Sequence, residues 1–189
     1  MTVERAIDIL HEKLSPGLFD HCSGVAKVAV KLAVKLNCDV TQACLAGWLH
    51  DCARGLSDEE LLSLADEYNV QVDMYAKRCP VLLHAPVGAM LAHSWGFTDE
   101  VVLEAIRHHT LGIPKMTALG QIVYAADKIE PGRTYQGVER LRLNIEKDFD
   151  TGILDAVAQS INYVLQRKLP VHPLTVAFWN WLTENLNRE

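Results

Sequence analysis

The chain has 189 residues, of which 49% are hydrophobic and 22% charged, and a formal net charge of −6. That length fits one domain able to bury roughly two-thirds of its unfolded surface without staples, and the apolar fraction excludes a disordered chain. The negative charge argues against a general duplex-DNA or anionic-membrane binder, so a polyphosphate ligand would need a metal or a few placed cations.

Residues 1–13 carry Glu4, Arg5, Asp8, His11 and Glu12 at helical spacing with no apolar h-region, which reads as a helix and not a signal peptide. Ser15-Pro16 opens a second helix, a capping residue followed by proline in the first turn. Its apolar face is Val25, Val28, Ala29, Leu32, Ala33 and Leu36, with Lys27, Lys31 and Lys35 opposite. A third helix is expected over 39–53. Ser57-Asp58-Glu59-Glu60 reads as a capping box that opens a helix to about residue 68. Val70-Gln71-Val72-Asp73 is the best candidate for a strand, and it is short. Further helices are expected over 84–95, 98–109, 117–129, 138–148, 151–169 and 173–186. Breakers separate them at Gly96, Gly112-Ile113-Pro114, Pro131-Gly132 and Pro170. No run approaches ~18 consecutive apolar residues, so no membrane helix is expected. The expectation is one compact all-α domain of about eight to ten helices.

Five cysteines, Cys22, Cys38, Cys44, Cys52 and Cys79, form no C-x-x-C pair. They read as reduced thiols in the cytoplasm, mostly small buried hydrophobes. The eight histidines are more informative. His50-Asp51 ends the apolar run 44–49, and one His-Asp pair in a chain this long is close to chance. It has company. His21 lies near a helix start, His84 begins a helix, His108-His109 ends another, and Asp127 follows the apolar run 122–126. A carboxylate buried there must be paired, hydrogen-bonded or coordinated. Imidazole and carboxylate together suit iron, manganese, zinc or cobalt better than calcium or magnesium. Taken singly, each group has a bland reading as a helix-end or ion-pair partner. The ordered set H…HD…H…H…D, each member beside an apolar helical run, points to a metal site.

The segments His21-Cys22-Ser23-Gly24-Val25-Ala26, 43–51, His84-Ala85-Pro86-Val87-Gly88-Ala89, 105–112 and 125–133 resemble those of the HD-domain metal-dependent phosphohydrolases. More narrowly, the chain is similar to the YqeK-type branch, the symmetrical dinucleoside-tetraphosphate hydrolases. The resemblance runs from about residue 4 to 182. It implies a single domain over 1–189, with a metal-site core at about 17–133 and C-terminal helices over 138–187 that pack on it and border a nucleotide pocket. It also implies that His21, His50, Asp51 and Asp127 hold one divalent metal, expected to be iron, with manganese, zinc or cobalt as alternatives. His84 and His109 would lie across the pocket, at a second metal or a phosphate. The His-Thr-x-Gly register favours His109 over His108.

The expected catalytic residues are Asp51, His84, His109, Lys128 and Arg133, the last two as cationic contacts to phosphate. The expected nucleotide contacts are His21, Asp51, His84, His109, Thr110, Asp127, Arg133, His172, Pro173 and Thr175. Two positions depart from the family's pattern. Leu18 and Trp179 stand where it usually has arginine, which would weaken nucleotide binding or shift base preference. The resemblance implies cleavage of diadenosine tetraphosphate to two ADP. Another HD activity, on a nucleoside monophosphate or a guanosine alarmone, and a nucleotide-sensing HD module remain as alternatives. The expected partner is a small nucleotide, with no nucleic acid and no membrane. Trp179 and Trp181, on adjacent faces of the last helix, hint at a homodimer.

Overall fold

In the computed structural model of the protein, which describes residues 1–186, side-chain caps fix most helix starts. Thr2, Asp39, Ser57, Asp73, Asp99, Thr117 and Asp148 each accept a backbone N–H from the first turn of the helix that follows. Each side-chain oxygen satisfies a donor that has no intrahelical partner. Ser57 and Glu60 close the capping box reciprocally. The helices are α1 (Val3–Lys13), α2 (Pro16–Lys35), α3 (Val40–Leu49), α4 (Asp58–Glu67), α5 (Met74–Arg78), α6 (His84–Ser94), α7 (Glu100–His108), α8 (Ala118–Ile129), α9 (Val138–Lys147), α10 (Phe149–Gln166) and α11 (Pro173–Leu186). A single 3-10 turn, Pro80–Leu83, joins α5 to α6, and no strand occurs among the described residues.

Two stretches differ from the sequence-based expectation. The third helix stops at Leu49, short of residue 53, and the chain continues through tight turns in which Cys52 N–H bonds Leu49 O and Arg54 N–H bonds Asp51 O. This early exit aims His50 and Asp51 at the interior. The segment 70–73 is irregular, and Asp73 caps the unforeseen α5. That helix has only 5 residues, too few for an apolar period to show.

Helix α2 lies along α3 and α8, and α7 packs against α3, α6 and α8. Helices α9 and α10 pack on α8 and on each other, and α11 packs on α10. The expected end of the C-terminal helices at 187 lies outside the described residues. A smaller apolar cluster of Leu61, Ala65, Ala76, Leu83 and Val87 ties α4 and α5 to α6. Trp179 and Trp181, on which the expected homodimer rested, are both half-buried against the core.

Two glycines permit the approaches that shape the interior. A Cβ on Gly47 would stand 2.6 Å from Ala26 Cα, so glycine allows α2 and α3 to cross backbone to backbone. That crossing sets His21 opposite His50. Gly112 has φ +70°, and a Cβ there would fall 2.1 Å from the Phe178 ring. With the 2.9 Å bond from Thr175 Oγ1 to Leu111 O, this seats α11 on the turn that follows α7. Gly47→Ala is therefore expected to destabilise the protein by about 3 kcal/mol, because no side-chain rotation relieves a clash with main chain. Urea unfolding checks this, and a midpoint equal to wild type would contradict it.

Candidate metal centre

His21 comes from the first half of α2, while the other ligand-type residues sit at helix ends. His50 and Asp51 follow α3, His84 begins α6, His109 caps α7, and Asp127 lies in the last turn of α8. Helix C-termini leave carbonyls unpaired, and a histidine there can donate to one. His50 Nδ1 meets Gly47 O at 2.8 Å and His109 Nδ1 meets Ile106 O at 2.8 Å, each three residues back. His84 Nδ1 bonds Val81 O in the same register, that carbonyl belonging to the 3-10 turn. His21 differs. Its Nδ1 faces Glu130 Oε1 at 3.1 Å. Carbonyl and carboxylate oxygens only accept, so these partners place a proton on Nδ1 of all four rings and turn each Nε2, with its lone pair, toward the shared interior.

The four lone pairs converge. His21 Nε2 and His50 Nε2 are 3.2 Å apart, and His84 Nε2 and His109 Nε2 are 3.1 Å apart. Asp51 lies between the two pairs. Its Oδ2 is 3.6 Å from both His21 and His50, and its Oδ1 is 3.2 Å from His84 and 3.3 Å from His109. Asp127 Oδ1 is 3.2 Å from His21 Nε2 and 3.9 Å from His50 Nε2. Facing lone pairs beside a carboxylate repel one another unless a cation sits among them. Asp51 Oδ1, buried and without a hydrogen-bond donor, is the sharpest sign of this. The donor set thus fits a divalent cation, in two overlapping groups: His21, His50 and Asp51, and Asp51, His84 and His109.

The electrostatics agree. Burial pushes the His50 pKa down to about 4, so the ring stays neutral and able to ligate. Burial pushes the Asp51 carboxyl up, but the His50, His109 and His84 rings around it outweigh burial and hold it well below the usual carboxylate range. Asp127 is likewise held low against burial, chiefly by Lys128.

The expected cations do not reach outward freely. Lys128 Nζ bonds Asp127 Oδ2 at 2.7 Å, and Arg133 bonds both the Oδ1 and the main-chain O of Asp127. Arg133 keeps 38% of its side chain exposed, enough for a further contact. Thr110 Oγ1 stands 3.1 Å from both His84 Nε2 and His109 Nε2. His172, expected at the nucleotide, bonds Asp73 Oδ2 at 2.7 Å and packs on Tyr75. Pro173 opens α11 beside it, and the Thr175 hydroxyl is bonded to Leu111 O. Glu130 was not singled out from the sequence. Its spacing from Asp127 places both on one face of the helix end, a signal that was available.

The HD-domain model matches residues 18–132. The chain belongs to the HD-domain family. It is 33% identical over 183 residues to a protein of Bacillus subtilis named bis(5'-nucleosyl)-tetraphosphatase, symmetrical, covering 96% of this chain and 98% of that one. A protein of the same name from Halalkalibacterium halodurans is 35% identical over 181 residues, covering 94% and 95%. The fold matches a crystal structure from Clostridium acetobutylicum, described as a predicted HD superfamily hydrolase involved in NAD metabolism. That match has a TM-score of 0.93, 33% identity and 98% coverage of both chains. An HD hydrolase is a metal-dependent enzyme, and the converging imidazoles of this chain supply the ligands such an enzyme needs.

His108 is outside the convergence, its pKa pushed down to about 4 by burial and by Arg107. His108→Ala is expected to leave metal content and turnover unchanged. His109→Ala should lower metal content and cut turnover at least about 100-fold, since even an outer-shell partner is worth 10–100-fold. Metal analysis and initial rates on both variants check this, and the reverse pattern would show that the wrong histidine faces the centre.

Proposed function

We propose that this chain hydrolyses diadenosine tetraphosphate symmetrically to two ADP. The observation that carries the proposal is the convergence of four Nε2 lone pairs on both oxygens of Asp51, in a chain alike over nearly its whole length to symmetrical tetraphosphatases. In this reading His21, His50, Asp51 and Asp127 hold one divalent cation and His84, His109 and Asp51 hold a second. Iron suits this mixed imidazole and carboxylate set, with manganese, zinc and cobalt as alternatives. When bound, such cations lower the pKa of a coordinated water toward ~7 and neutralise charge that builds on phosphoryl oxygens.

The residues of the chain do the rest. Asp51 joins the two halves of the centre, so a shift of either half moves the other. Lys128 is a positioning residue, because its ammonium is spent on Asp127 Oδ2. Arg133 orients Asp127 with one edge and presents the exposed edge of its guanidinium to phosphate. The Thr110 hydroxyl, beside His84 and His109, donates to a phosphoryl oxygen. His172 acts at the border of the nucleotide pocket, held by Asp73 and Tyr75, with Pro173 next to it in sequence, and Thr175 acts through its tie to Leu111. The departing ADP carries its charge on phosphate oxygens, which cationic contacts stabilise without a general acid. A centre that holds one ADP moiety places the next phosphorus at the reacting position. Water oxygen bonds to that phosphorus and its proton passes to solvent, the bridge between the two central phosphates breaks with the bridging oxygen leaving on the first ADP, and both products are ADP.

A reducing cytoplasm is proposed on the five unpaired cysteines, and no helix of the described residues is long and apolar enough to cross a membrane.

Hydrolysis in ¹⁸O-labelled water is expected to give ADP as the sole nucleotide product, with one label per cleavage event. AMP and ATP in equal amounts would overturn symmetrical cleavage. Free phosphate with nucleoside, or pyrophosphate, would move the substrate to another HD activity. Arg133→Ala should keep the metal yet lower turnover about 10²-fold, in line with loss of one fixed electrostatic donor. Asp51→Ala should abolish both metal binding and turnover.

A further inference from the structure

The two halves of the centre are built differently. His50, His84 and His109 each hold Nδ1 on a neutral carbonyl of their own chain segment. His21 alone holds it on a carboxylate, Glu130, from a position 109 residues away. A carboxylate behind a ligating imidazole fixes its tautomer and raises the basicity of the far nitrogen.

We propose that Glu130 is a positioning residue that acts through His21 and makes the His21–His50 side the tighter of two metal positions, so that it fills first. This rests on the two-position reading above.

The local structure is shaped around that carboxylate. Glu130 is 5% exposed, and its Oε2 accepts the Gly132 N–H. A Cβ on Gly24 would fall 2.7 Å from Oε2, and one on Gly132 would fall 3.0 Å from both oxygens. Two glycines, on α2 and just past α8, thus leave the space Glu130 fills. Charge points the same way. Lys128 and Arg133 both pair with Asp127, two cations on one anion. Glu130, with Oε1 3.8 Å from Arg133 Nε, restores the balance on that side. Without it, two cations would face only Asp127 and the shared Asp51, and a divalent cation would approach a position with no net negative charge. On the other side, the His84 and His109 Nε2 atoms face Asp51 Oδ1 and the Thr110 hydroxyl, and both rings are backed by carbonyls.

The test is an anaerobic cobalt(II) titration of the metal-free full chain, followed by visible absorption. Wild type should bind two equivalents in separate steps. Glu130→Gln should weaken the tight step 10–100-fold, roughly the cost of losing an outer-shell partner, and leave the weak step within about twofold. Glu130→Asp, which keeps the charge but withdraws the oxygens, should weaken the same step by less. It carries the test if the glutamine variant loses its helical circular dichroism. Proton–nitrogen spectra of the zinc-loaded, ¹⁵N-histidine protein give a second reading. The His21 Nδ1–H proton should lie furthest downfield of the four, and should move toward the others in Glu130→Gln. An unchanged tight step, or equal weakening of both steps, would overturn the proposal. A wild type that saturates at one equivalent contradicts the two-position reading and removes the filling order with it. The coupling of Glu130 to His21 then stands if Glu130→Gln weakens that single step, and falls if it does not.

Discussion

A buried carboxylate shared between two pairs of imidazoles governs this molecule. Asp51 is 6% exposed, turns one oxygen to His21 and His50 and the other to His84 and His109, and has no hydrogen-bond donor for Oδ1. An ionised group in that position costs several kcal/mol unless opposite charge accompanies it. The rings around it cannot supply that charge as protons without giving up the Nε2 atoms that face it. Cations must, and much of the fold serves to keep the six ligand-type groups ready for them. Placing these groups at helix ends uses the free carbonyls there to orient three of the rings. The close α2–α3 crossing at Gly47 and the α11 seat at Gly112 then hold those ends in register.

The protein carries a net charge of −6 and a centre rich in carboxylate, yet the substrate proposed for it is a polyanion. The positive charge is therefore local. Lys128 and Arg133 are both drawn to Asp127, and Arg133 keeps the larger share of its side chain toward solvent, 38% against 24%. In the proposed function, affinity for phosphate comes from the cations the histidines would hold and from that guanidinium edge. This explains why residues that appear to duplicate one another in sequence, two basic groups after a ligand aspartate, have different tasks.

Much of this was legible in the sequence. Helix positions followed from apolar periodicity and capping residues, because both are local. The six ligand-type residues could be ordered because each stands beside an apolar run that must be buried. What escaped was set by contacts across long stretches of chain. The pairing of His172 with Asp73 spans 99 residues, and that of His21 with Glu130 spans 109. No periodicity encodes either. The early end of α3 was also hidden, since residues 50–53 are compatible with a helix and only the turn through Asp51 aims the pair inward. Helix α5 is too short to leave a pattern.

The bridging role of Asp51 is tested most directly by anomalous diffraction at the iron edge from crystals of the iron-loaded protein. Two anomalous peaks roughly 3.5–4 Å apart are expected, one on each side of Asp51, with Oδ1 and Oδ2 on different ions at about 2.0–2.3 Å, taking first-row metal–oxygen distances as the guide. A single peak, or two peaks with the Asp51 carboxylate turned away from either, would contradict it.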